Sequence, residues 1–80
     1  MATSEPLRLT PVRSTEAMGR AVRRAREQVG LTQAELAQRV RATRQAIIGL
    51  ERGHETRALE LLFDALAELD LELAVRPRER

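Results

Sequence analysis

The stretch Leu31–Gly53, LTQAELAQRVRATRQAIIGLERG, decides the fold. Thr32-Gln33-Ala34-Glu35 has the form of a capping box, in which the Thr hydroxyl accepts the third helical amide and the Glu carboxylate reaches back to the cap amide. A short helix therefore opens at Thr32 and runs to about Val40. Arg41 and Ala42 make a tight turn, and Thr43 is the N-cap of a second helix that ends at Arg52, with Gly53 just beyond the C-cap. Two short helices joined this way cross steeply, which requires a small residue at the approach and apolar anchors on both sides. Ala37 is the small residue; Leu36 and Val40 anchor the first helix, Ile47 and Leu50 the second.

Working outward, a longer helix is expected from about Thr15 to Val29, capped by Ser14 or Thr15 and stopped by Gly30. Met18, Ala21, Val22, Ala25 and Val29 form its apolar stripe, while Arg20, Arg23, Arg24 and Glu27 lie largely opposite. After a loop of His54, Glu55 and Thr56, Leu59, Leu62, Leu66 and Leu69 recur at helical spacing, widened by Ala58, Leu61, Phe63 and Ala65. The period then changes to two: Leu71, Leu73 and Val75 alternate with Glu72, Ala74 and Arg76 until Pro77, the pattern of a half-buried strand. A lone strand leaves its backbone groups without partners, and a second copy of the same strand is the economical solution. The reading is an arm at 1–14, allowing a weak edge strand at best, one domain at 15–76 and a charged tail at 77–80.

Composition narrows the chemistry. The 80 residues are 42% hydrophobic, enough for one small domain whose core is too limited for wide stability, so dimerisation is a natural remedy. No cysteine and a single histidine exclude disulfides and cysteine-bound zinc, and leave no arranged nucleophile and base; neither an enzyme, a cofactor nor a small-molecule substrate is expected. No apolar run approaches a membrane span and no signal-peptide core is visible, so a cytoplasmic protein is expected, with no membrane partner. The net charge of +2 is uneven: residues 1–50 carry nine Arg against four Glu, residues 51–80 five Arg against eight acids. An electropositive front half suits a polyanion, though solvated surface arginines give the same count.

The crossing pair is a helix-turn-helix. Its sequence from Leu31 to Gly53 resembles the lambda-repressor-like, or Xre, family of bacterial DNA-binding domains. The ending LDLELAV at Leu69–Val75 resembles, more narrowly, the HipB-type antitoxins. The resemblance implies a mainly α, compact four-helix lambda-repressor-like domain whose C-terminal strand pairs across a homodimer through Leu71, Leu73 and Val75. It further implies a repressor on double-stranded operator DNA, autoregulating its operon and holding a HipA-like kinase toxin. The alternative is a stand-alone or phage-type repressor without a toxin.

Several residues acquire expected roles. Thr32 and Gln33, at an amide-rich helix start, can meet a phosphate, although Gln33 is otherwise an ordinary solvated first-turn residue. Arg44 can fork to a guanine and Gln45 can pair with an adenine in the major groove; Arg41 and Thr43, beside the turn, suit phosphates, and Arg52 lies at the far end of the same helix. Plain surface charge is the bland reading of Arg41 and Arg44. Ile48 and Gly49 stand where relatives commonly present polar side chains: Ile48 on the outward face suits a thymine methyl, and Gly49 either lets the helix approach the groove or simply contributes no readout. At Arg41 the family often has glycine, because a left-handed backbone is favoured there. Arg26 and Glu51 match the family's structural ion pair between the first helix and the third.

Overall fold

A computed structural model describes residues 9–54 and 56–78. Its elements are β1 (Thr10–Val12), α1 (Thr15–Gln28), α2 (Gln33–Arg39), α3 (Arg44–Glu51), α4 (Arg57–Glu68) and β2 (Leu73–Val75). Residues 1–8 of the expected arm, Glu55 of the loop and residues 79 and 80 of the tail lie outside the described residues.

All four helices start and stop by local chemistry. Ser14, Thr32, Thr43 and Thr56 each accept, through the side-chain hydroxyl, the backbone N–H three residues on. At Thr32 the box closes in both directions, with Glu35 N–H donating to Thr32 Oγ1 at 3.0 Å and Thr32 N–H to Glu35 Oε1 at 2.8 Å. At the other ends, Gly30, Arg41, Gly53 and Asp70 hold φ of 77°, 59°, 80° and 58°. In each case the next amide folds back to a carbonyl five residues earlier, as Ala42 N–H does to Ala37 at 2.8 Å and Leu71 N–H to Leu66 at 2.8 Å. This is the Schellman closure, which satisfies carbonyls that a helix end would otherwise leave open. Arg41 thus performs the turn that glycine performs at positions 30 and 53, at the modest strain a side chain incurs there. Asp70 does the same at the end of α4, a stop signal not read from the sequence.

The terminal strand finds a partner within its own chain. β1, formed by the arm, pairs antiparallel with β2 in the register Thr10↔Val75, Pro11↔Ala74 and Val12↔Leu73. The arm is therefore part of the fold from residue 10, and the strand is shorter than the alternation suggested, with Leu71 outside it and exposed. Among the described residues Val12 is the most deeply buried large side chain, at 1% exposure, and it lies on the strand that packs against α1.

Among the described residues the buried apolar set is small: Val12, Ala37 and Ile47. Ala37 lies where the crossing of α2 and α3 was expected to need a small residue. Leu50 and Val40, expected as core anchors, are 40% and 55% exposed, and Val29 at the end of the α1 stripe is 70% exposed. For Leu50 the reason is that α3 meets α1 through its backbone. A Cβ on Gly19 would fall 2.5 Å from the Leu50 carbonyl oxygen and 2.6 Å from that of Glu51, so the helices touch where no side chain intervenes. Gly53 repeats the arrangement, since a Cβ there would come within 2.7 Å of Glu16 Cα. The buried Thr15 hydroxyl donates to the Gly53 carbonyl at 3.1 Å and secures the same junction.

Helix α4 is the loosest element. None of its residues is buried, and Leu61, Leu62 and the adjoining Leu69 face outward. Between α4 and the sheet lies a cavity of about 290 Å³ lined by Val12, Phe63, Leu66, Leu71 and Leu73. Among the described residues no helix is long and apolar enough to cross a membrane.

Candidate nucleic-acid interface

The site is built on a carboxylate that three elements share. Glu51, in the last turn of α3, receives Arg26 Nε at 2.6 Å and Arg26 Nη2 at 3.1 Å, a two-pronged pair in which both side chains are nearly inaccessible, 10% and 3% exposed. Arg26 Nη1 also donates to the Leu31 carbonyl at 2.8 Å, binding the α1–α2 loop to the pair. Gln33 Nε2 completes the group by donating to Glu51 Oε1 at 3.1 Å. The planar fork of Arg meets both carboxylate oxygens and the carbonyl in one rigid geometry that the compact ammonium of Lys does not reproduce. α1, α2 and α3 are thereby locked through one side chain.

That lock alters the expectation for Gln33, whose amide was expected to meet a phosphate. It turns inward, to Glu51. Glu51's carboxyl sits below the usual glutamate range, chiefly because Arg26 donates to it, with Gln33's hydrogen bond and the Arg26 and Arg23 charges adding and burial opposing. Glu35 is lowered too, by Thr32's N–H and hydroxyl and by the charge of Arg39, against a smaller burial effect.

Both groups have folded-state values depressed from the ordinary 4.5, so the unfolded chain takes up protons first as the pH falls. The stability they contribute is complete above that value and is lost as pH falls through the folded-state values. Thermal unfolding followed by circular dichroism should give a melting temperature that is level from about pH 7 to about pH 5 and declines below it. Glu51→Ala should decline less steeply from its lower starting point.

Around the locked group the surface opens into a concavity of about 500 Å³, where Thr32, Gln33, Arg44, Ile48 and Arg52 come together with Arg23. Among the described residues neither Arg44 nor Arg52 has a carboxylate partner, whereas Arg23 is held by Glu27 at 3.2 Å on the exposed side of α1. Arg23 was read only as a surface residue; its place one helical turn before Arg26 is the signal that could have put it at this rim.

Arg41, Thr43 and Gln45 stand along the turn and the start of α3, all exposed. Thr43 Oγ1 accepts Ala46 N–H at 3.0 Å, and its hydroxyl proton can still donate elsewhere. A Cβ on Gly49 would meet the His54 imidazole at 3.0 Å, so the missing side chain makes room for His54. Ile48 is half-buried, flanked by arginines on the rim.

The arrangement offers two unneutralised guanidinium groups, hydroxyl and amide donors, and one apolar side chain on a rigid helix, with the turn's left-handed Arg41 beside it. Comparison with known proteins agrees with this geometry. A curated protein from Methanothermobacter thermautotrophicus, named "Uncharacterized HTH-type transcriptional regulator", is 52% identical over 40 residues, covering 50% of this chain and 58% of the relative. The match thus spans little more than half the length of that protein. No solved structure matches. The family model described as Helix-turn-helix (HTH_3) matches residues 22–75, from the middle of α1 to the end of β2, and the chain belongs to that helix-turn-helix family.

Proposed function

We propose that the protein is a sequence-specific DNA-binding transcriptional repressor that acts in the cytoplasm as a homodimer on a pseudopalindromic operator. The observation that carries this is the exposed start of α3, where Arg44 and Gln45 lead into the basic concavity that also holds Ile48 and Arg52. An N-terminal end of a recognition helix reads base edges in the major groove. In this docking Arg44 forks to guanine O6 and N7, Gln45 pairs with adenine, and Ile48 covers a thymine methyl. Thr32, Arg41, Thr43 and Arg52 hold phosphates and set the register. The name of the archaeal relative, a transcriptional regulator, supports regulation as the outcome.

Fluorescence anisotropy on DNA from the protein's own promoter tests the reading. A specific complex should form whose affinity falls steeply with salt; no specific complex even at low salt would falsify it. Arg44→Ala should weaken specific binding by about 1–3 kcal/mol, roughly 5- to 150-fold, and relax selectivity at one base position. Ile48→Ser should change the preferred base with little change in melting temperature, which a selection from randomised operators would reveal.

The finer reading is a HipB-type antitoxin that represses its own operon and binds a HipA-like kinase toxin. Its support is the terminal LDLELAV segment, the acidic second half of the chain and the outward apolar face of α4, which is available to protein partners. Sequencing the adjoining open reading frame discriminates: a kinase-like neighbour supports the antitoxin, and an unrelated one leaves a stand-alone repressor.

A further inference from the structure

Gly49 lies on the side of α3 that is turned furthest from the protein. At about 100° per residue it stands roughly 160° from both Ile47 and Glu51, the buried side chains of the helix, and one turn beyond Gln45. A side chain at this place would stand beside Gln45 and Ile48 on the face that takes DNA in the docking proposed above. Glycine supplies none, and the space is filled from the loop instead. Gly53, at φ 80°, turns the chain back, His54 N–H donates to the Gly49 carbonyl at 3.0 Å, and the imidazole comes to rest over Gly49. At a helix stop of this kind the residue after the turning glycine commonly makes an apolar contact with the last turn. Here Gly49 has no side chain to offer, and the imidazole stays exposed.

Three distances orient the ring. From the position of a Cβ on Gly49, Nδ1 lies at 3.0 Å and its ring neighbours Cγ and Cε1 both at 3.7 Å, so the Nδ1 corner faces the helix and Nε2, across the ring, faces away. Among the described residues the imidazole has no hydrogen-bond or ion-pair partner. We infer that His54 reads a base, standing in for the side chain that position 49 lacks. The inference rests on the repressor reading and adds a specificity determinant to it. In this role Nε2–H donates to the N7 of a purine in the major groove, beside the base pair that Gln45 reads. N7 is an acceptor on adenine and guanine alike, whereas cytosine presents an amino donor to the groove. The mark of His54 on the operator is therefore a purine at one position of one strand, with either purine accepted.

Selection from randomised double-stranded DNA, carried out with the wild type, His54→Ala and His54→Phe, tests this. His54→Phe keeps a ring to cover Gly49 and lacks the donor. Both variants should melt like the wild type, bind the wild-type operator roughly 2- to 12-fold more weakly, as the loss of one hydrogen bond implies, and accept a pyrimidine at a single position where the wild type selects a purine. Base preferences identical to those of the wild type overturn the inference, whether affinity is unchanged or falls evenly across all sequences, the pattern of a phosphate contact. A wild-type protein that selects no sequence at all overturns the repressor reading itself.

Discussion

Glu51→Ala should sharply lower the stability of the domain. The substitution leaves Arg26 without its carboxylate in a nearly closed site and strips Gln33 of its partner. Removing one member of a buried pair costs about 3 kcal/mol or more, and a domain of this size loses roughly 4–8 °C of melting temperature per kcal/mol. A fall of at least about 12 °C is therefore expected by circular dichroism. Gln33→Ala, which removes a single neutral donor, should cost only about 1 kcal/mol. If Glu51→Ala melts like the wild type but binds operator poorly, the carboxylate belongs to the DNA contact and the structural account is wrong. The same variant separates folding from recognition, since Arg44→Ala should show the opposite pattern.

Gly19→Ala is the second large effect, and its direction runs against helix propensity. In an exposed helix the change gains about 1 kcal/mol. Here the added methyl meets two carbonyl oxygens at 2.5 and 2.6 Å, and these are backbone atoms of α3 that cannot rotate aside. α1 and α3 must separate, which strains the Arg26–Glu51 pair and the Thr15–Gly53 bond on the same seam. A net loss of about 2 kcal/mol follows from overpacking of this kind. Chemical denaturation with an unchanged slope and a lower midpoint is the expected signature. A midpoint equal to or above the wild type would show that α1 and α3 can shift apart freely.

Much of the fold is legible because its boundaries are chemical. Hydroxyl caps at Ser14, Thr32 and Thr43 and glycine stops at 30 and 53 are local signals that need no knowledge of tertiary contacts. Arg41 and Asp70 are harder, because a side chain in the left-handed conformation is a tolerated exception that composition does not announce. Leu50 was misread since hydrophobic spacing assumes that helices meet through side chains, whereas α3 meets α1 through carbonyls at Gly19. The partner of β2 within its own chain was harder to read for a related reason: the short TPV segment has too little alternation to declare itself, and Pro11, with no N–H to donate, argues against more than an edge strand. In the candidate interface, residue types and helical spacing locate Arg44, Ile48 and Arg52. The inward turn of Gln33 and the room that Gly49 leaves for His54 depend on distances that no spacing rule contains.

The closure of α3 at both ends has an evolutionary consequence. Thr43 begins the helix and Gly53 stops it, while Ile47 and Glu51 fasten it, so these four positions hold the segment in place. Arg44, Gln45, Ile48 and Arg52 carry none of that fastening. In the docking proposed above, such a cassette exchanges one target sequence for another without renegotiating how the segment folds, and new specificities lie only a few substitutions away.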